Sequence, residues 1–300
     1  MPFFRCVLLV SCLSVAASAQ TADQIMARVA VNQDASLQAR THYIYVQHAH
    51  VRSLKGNTVR CDETTDARIV PTEKGYKQVL LKLDGRVLHK GKYIAYTEKD
   101  VQAAAKDAKS TEKDSDDIHV ILADKDDDST DMDLVENMRD NLTKDPKAKD
   151  GMSAGLFPLT TDEQKDYIYT LVGREPMNGR ETFHVRFQPK DKDDLGWKGD
   201  AWIDAEAYQP VLVRTALSRN IPFAVRTLLG TSLPGLGFSV TYEPEPGGVK
   251  DAPWFPVTFG TEFKLHVLFF FNREVVIDVH NRDFEQTHVT STLHAGGEVQ

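Results

Sequence analysis

Two histidines, His48 and His50, stand two residues apart in a stretch rich in Tyr, Ile and Val (Thr41 to Leu54). On a strand this spacing puts both imidazoles on one face, an arrangement that zinc sites use. No third ligand is identifiable along the chain, so the pair reads as solvated strand histidines, and no metal or cofactor is expected. Asp204 and Glu206 offer two neighbouring carboxylates, but with Pro210 close behind they read as turn formers. Cys61 lies in Val59-Arg60-Cys61-Asp62-Glu63, a setting more acidic than basic and unlike a nucleophile signature, which argues for a structural thiol. Gly230-Thr231-Ser232-Leu233-Pro234-Gly235 has the wrong spacing for a nucleophile elbow. A P-loop, a dinucleotide fingerprint and H-E-x-x-H are all missing from the sequence. The acidic run from Asp124 to Asp128 fails as a calcium loop: such a loop needs glycine at its sixth position and glutamate at its twelfth, where this chain has Ser129 and Val135. It reads as a solvated acidic face. No enzymatic activity is expected.

The strongest pattern is instead apolar. From Phe255 to Phe271 the odd positions Phe255, Val257, Phe259, Phe263, Leu265, Val267, Phe269 and Phe271 are apolar, with Thr261 the exception. The even positions begin polar or small: Thr258, Gly260, Glu262, Lys264 and His266. A period of two means a long strand with one buried face. From Leu268 to Phe271 both faces are apolar, as in a strand covered on both sides. Val275, Ile277 and Val279 continue the alternation. Asn272-Arg273-Glu274 reads as a three-residue hairpin loop, which would set Phe269 near Ile277 and Val267 near Val279. Ten such residues span about 34 Å, a length that suits a large curved sheet. A wide apolar face needs a helix, a second sheet or an apolar ligand to cover it.

The elements that position this strand follow in order. Thr21-Ala22-Asp23-Gln24 is a capping box, and Ala22, Met26, Val29, Ala30, Gln33 and Leu37 share one face of a helix over 22–38. Strands are expected over Thr41 to Leu54 and Val59 to Val70, joined at Lys55-Gly56-Asn57. Two more, Tyr76 to Leu83 and Arg86 to His89, flank Asp84-Gly85, a two-residue hairpin signal. Gly91 to Tyr96 suggests another. Residues 98–150 form a charged insertion of low order, with a helix from Asp131 to Leu142. Tyr167 to Val172 and Thr182 to Phe187 flank Asn178-Gly179, and Trp197 to Asp204 pairs with Pro210 to Leu217. Asn220 to Gly230 reads as a short helix, apolar nearly all round, that either plugs a core or closes over one as a lid.

Arg5, the apolar run Cys6 to Val15 and Ala17-Ser18-Ala19 form a secretory signal over residues 1–19. Cys12 sits in a lipobox-like setting, an alternative that would anchor the chain as a lipoprotein. Cleavage leaves Cys61 as the one cysteine and no internal disulfide, which fits a bacterial periplasm. With Arg5 removed, 35 basic residues face 44 acidic ones, a net charge near −9 that argues against nucleic-acid binding. Residues 20–300 are expected to form a single β domain.

A helix directly after the signal, then a meander of long antiparallel strands, resembles the LolA/LolB-like, lipoprotein-sorting fold. The local match is Ala201-Trp202-Ile203-Asp204 followed by Pro210-Val211-Leu212-Val213. Ile221 to Leu233 and Phe259 to Asn272 also resemble stretches of exported bacterial proteins labelled lipoprotein-sorting-like. The likeness covers 21–97 and 165–285, and the acidic insertion departs from it. It implies a mainly β (α+β) fold: a half-open barrel or large curved antiparallel sheet, its concave face under an N-terminal helix and a helical lid. It implies a monomeric periplasmic carrier, with the acyl chain of a lipid or lipoprotein as ligand and peripheral contact with a membrane or an envelope protein. The cavity would then be lined by Phe263, Leu265, Val267, Phe269, Ile277 and Val279, under a lid carrying Phe223, Leu228 and Leu229. The alternative is an envelope interaction module with a filled core and no ligand.

Overall fold

The computed structural model describes residues 20–72, 75–100, 127–143, 157–191, 196–217, 231–232, 236–245, 252–267 and 271–287. The capping box forms as expected. The Thr21 hydroxyl accepts from the Gln24 backbone N–H, and the Gln24 side chain accepts from the Thr21 N–H. Helix α1 (Ala22–Arg40) therefore starts where the sequence places it and runs to Arg40 rather than 38. Its Ala22, Met26, Val29, Ala30 and Gln33 are buried together with Ile25 and Ser36.

The strands that follow are β1 (Tyr43–Lys55), β2 (Thr58–Thr72), β3 (Gly75–His89) and β4 (Lys92–Thr97). Helix α2 (Asp127–Thr143) and a 3₁₀ turn (Glu163–Asp166) precede β5 (Tyr167–Met177), β6 (Arg180–Pro189), β7 (Trp197–Asp204) and β8 (Pro210–Leu217). After these come β9 (Thr231–Ser232), β10 (Gly237–Pro244), β11 (Trp254–Val267) and β12 (Phe271–Gln286). Eleven strands make one open antiparallel sheet in the order β4-β3-β2-β1-β12-β11-β10-β8-β7-β6-β5, and β9 hangs on the end of β11. The fold is thus mainly β, as the alternation requires. Of the segment 98–150, residues 127–143 are α2, while 101–126 and 144–150 lie outside the described residues. No helix among the described residues is long and apolar enough to cross a membrane.

The tight turns obey local chemistry. Asn178 and Gly179 both take positive φ (50° and 75°), the requirement of a two-residue turn matched to strand twist. Asp84-Gly85 does not turn. Both residues lie inside β3, which runs unbroken from Gly75 to His89. The reason is a contact from β4: Tyr96 pairs with Gly85 and lays its ring over it. A Cβ on Gly85 would fall 2.1–2.6 Å from three ring carbons. The glycine gives room to a ring, not freedom to the backbone.

The hairpin between β11 and β12 also differs from expectation. Val267 pairs with Phe271, Phe263 with Val275 and Phe259 with Val279, so Asn272-Arg273-Glu274 is strand rather than a loop, and 268–270 lie outside the described residues. Phe269 is outside the described residues.

Both helices lie on one face of the sheet, the inner face. Helix α1 approaches β5 and β11, five places apart in the sheet, which the sheet must curve to allow. Its side chains bind the β7–β8 turn (Asn32 Nδ2 to Ala207 O, 2.9 Å) and the start of β11 (Arg40 Nη1 to Trp254 O, 2.8 Å). Helix α2 approaches β1, β2 and β3.

Gly85→Ala should lower stability by about 1–3 kcal/mol, because the Tyr96 ring must move. Thermal unfolding followed by circular dichroism checks this, and Gly173→Ala, where nothing lies within 4 Å of the added carbon, should be close to neutral.

Candidate functional site

The inner faces of β1, β12 and β11 meet in register. Ala49 pairs with Val279, Val51 with Ile277 and Ser53 with Val275. On the other side of β12, Phe259, Thr261 and Phe263 pair with Val279, Ile277 and Val275. Period two then puts Ala49, Val51, Phe259, Phe263, Leu265, Val275, Ile277 and Val279 on one surface, and all are buried. Ile25, Met26 and Val29 of α1 belong to the same apolar cluster.

Phe263, Leu265, Ile277 and Val279 thus share one face. Ile277 sits opposite Thr261, and Val279 opposite Phe259 rather than Val267. Val267 ends β11, its backbone paired with Phe271 and with Thr231 of β9. Phe223, Leu228 and Leu229 lie outside the described residues.

Two polar borders frame the apolar field. At one end Gln47 Nε2 donates to Asn281 Oδ1 (3.2 Å), and Asn281 Nδ2 donates to Pro256 O (2.9 Å). At the other end is a buried ion pair. Arg273 Nε and Nη2 donate to the two oxygens of Asp131 on α2, at 2.6 and 2.8 Å, and neither side chain is exposed at all. Ser53 Oγ (2.6 Å) and Arg60 Nε (3.3 Å) also donate to Asp131. A second buried pair lies alongside: Arg139 Nη1 donates to Glu63 Oε1 (2.8 Å), and Tyr96 Oη donates to Glu63 Oε2 (3.0 Å). These charges satisfy one another, as charges out of water must.

From the sequence none of these residues is expected in a paired, buried role, although a signal was there. Arg273 stands on the odd, apolar side of the alternation of β12, so it needs a buried partner. Asp131, Val135 and Arg139 recur at every fourth residue, one face of a helix.

The Cys61 thiol is buried beside Tyr96 and Glu63, and burial pushes it up to about 12, so it stays protonated. It is structural, not nucleophilic. Asp204 Oδ1 accepts from the backbone N–H groups of Glu206 and Ala207, so it shapes the β7–β8 turn. His48 and His50 lie on the outer face. Each is bonded to an aspartate of β2, Asp66 at 2.9 Å and Asp62 at 2.6 Å. Burial works against the Asp62 charge, but bonds from His50 and Arg86 outweigh it and hold the carboxyl below its usual range.

Removing either partner of the buried pair should be costly. Arg273→Met or Asp131→Leu alone should lose roughly 3–5 kcal/mol, because the remaining charge is stranded. The double variant should lose far less than the sum. Urea unfolding of the four proteins measures the coupling.

No family model matches this chain, and no curated protein matches it. Solved structures do. One is described as an outer membrane lipoprotein-sorting protein domain from Vibrio parahaemolyticus: 13% identity, TM-score 0.39, covering 91% of this chain and 95% of that one. A structure of MucB in complex with MucA has 12% identity and TM-score 0.21, covering 89% of this chain and 100% of that one. A LolA superfamily protein from Nitrosomonas europaea has 10% identity and TM-score 0.35, covering 90% of this chain and 96% of that one. The structures this chain is similar to thus include a lipoprotein-sorting domain and a LolA superfamily protein.

Proposed function

We propose that this protein is an exported, non-enzymatic carrier that holds the acyl chain of a lipid or lipoprotein against the inner face of its sheet. The ligand would lie on Phe263, Leu265, Val267, Phe269, Ile277 and Val279, under a lid bearing Phe223, Leu228 and Leu229. It would act in the periplasm as a monomer after loss of residues 1–19. One observation carries the reading: an apolar field crosses β1, β12 and β11, interrupted within by Thr261, and its other polar residues are gathered at its two ends. Each methylene moved from water onto such a surface contributes about 0.8 kcal/mol. A chain of about 16 carbons therefore has roughly 12 kcal/mol of gross drive to set against ordering costs. The chain following the lid segment re-enters the described structure at β9, beside Val267, which suits a cover over that end of the field.

A second reading has its own observation. The fully desolvated Arg273–Asp131 pair pins α2 across one end of the inner face. This favours an envelope interaction module whose core is filled and whose partner is a protein.

Native mass spectrometry and lipid extraction of the purified protein separate the two. The carrier reading expects co-purified lipid that Phe263→Glu abolishes while the circular dichroism spectrum is kept, since a group facing a cavity can recruit water. A parent free of lipid, with a Phe263→Glu variant that unfolds, would overturn it in favour of the filled module.

A further inference from the structure

The outer face of β1 and β12 carries a constellation that an acyl-chain carrier does not use. In the antiparallel pairing His48 lies opposite His280, and His50 lies opposite Asp278. Directly opposed residues have Cβ atoms about 4.5–5.5 Å apart, and residues two apart on a strand share a face. The four side chains therefore form a two-by-two block. They line an open groove together with Ser239, Thr258 and Gly260. Gly260, opposite Asp278, borders open space: a Cβ there would meet nothing closer than Asp278 Oδ1 at 3.8 Å.

Two of the imidazoles are already oriented from behind. His48 uses Nδ1 on Asp66, and His50 uses Nε2 on Asp62. Arg86 fixes Asp62 with two bonds to Oδ2, at 3.0 and 2.7 Å, and Arg282 faces Asp66 at 3.6 Å. Arg52 stands 3.5 Å from Asp278. Ring nitrogens Nε2 of His48 and Nδ1 of His50 are left for another bond. An imidazole with a carboxylate on its far nitrogen is the form in which metal-ligating histidines are held.

The geometry points to a site for a divalent transition-metal cation of the zinc class, bound by His48 Nε2, His50 Nδ1, His280 and Asp278. Three imidazoles and one carboxylate suit Zn²⁺, Co²⁺, Ni²⁺ or Cu²⁺ over Mg²⁺ and Ca²⁺. As the side chains stand, no three such groups among the described residues converge to hold an ion. Closing the site needs His280, which is exposed, and Asp278, whose side chain is 62% exposed, to turn toward the two held imidazoles, with no change in the strands. Side-chain rotation of exposed residues takes picoseconds to nanoseconds. A bound ion would cross-link β1 to β12, the first and last strands among the described residues.

The experiment uses full-length mature protein without a histidine tag. Zn²⁺ is titrated calorimetrically, and Co²⁺ binding is followed by its visible absorption. The expected result is one ion per chain and a melting temperature that rises with Zn²⁺. Affinity should fall by about tenfold or more in His280→Ala and in His48→Ala, and by roughly 10–100-fold in Asp66→Asn, which touches only the ring behind the ligand. His184→Ala, which removes another outer-face histidine paired with carboxylates, should change nothing. Binding that is weak and unsaturable, or that survives His280→Ala unchanged, overturns the proposal. Lipid co-purification does not enter these measurements, so the site stands or falls apart from the carrier reading.

Discussion

The pairing of β1 with β12 is the constraint on which everything else rests. It joins residues 220 to 243 positions apart, from Leu54 with Glu274 to Tyr43 with Gln286. Without it the chain would hold two separate sheets, β4-β3-β2-β1 and β12-β11-β10-β8-β7-β6-β5. Closing so long a loop is not prohibitive, because its entropic cost grows only with the logarithm of length, about 0.6 kcal/mol per doubling. The seam repays that cost on three levels. It gains a backbone ladder along its length, joins apolar residues of both strands on the inner face, and brings histidines and aspartates together on the outer face.

Burying charge on the inner face decides where α2 goes. An arginine on the apolar side of β12 cannot stay unpaired out of water, where a stranded charge costs several kcal/mol. Asp131 answers it with both oxygens, and Ser53 and Arg60 supply further donors. Arg139, two turns further along the same helix, does the same for Glu63. Few apolar residues of α2 are needed to hold it: Val135 is fully buried between these pairs. The helix is seated by specific bonds, so its position is set more sharply than burial of area alone would set it.

What the sequence could and could not reveal divides along the same line. Elements fixed by neighbouring residues were legible: the capping box of α1, the Asn178-Gly179 turn, and both ends of β7 and β8. Elements fixed by distant residues were not. Asp84-Gly85 has the composition of a turn, but its glycine answers to Tyr96 on the next strand. Asn272-Arg273-Glu274 has the polarity of a loop, but its arginine answers to a helix about 140 residues earlier. The apolar face of the candidate site was legible because alternation is local. The polar ends that frame it were not, since each joins strands or helices far apart in the chain.

Alternation also explains why the hairpin could be right in face and wrong in register. A side-chain period of two fixes which residues point inward, but a slip by any even number leaves that unchanged. Pairing Val267 with Val279 and pairing it with Phe271 differ by eight positions, and both keep the odd, mostly apolar positions on the inner face. The choice between them falls to groups that tolerate only one partner. Arg273 must meet Asp131 and Ser53, Asn281 must meet Gln47 and Pro256 O, and Thr261 Oγ1 must reach Gly237 O at 2.6 Å. A two-residue slip of β12 against its neighbours would strand a buried guanidinium and a buried amide at once, each at a cost of one to several kcal/mol. The apolar residues therefore supply most of the drive to assemble this sheet, and a handful of buried polar ones decide which of its nearly equivalent alignments survives.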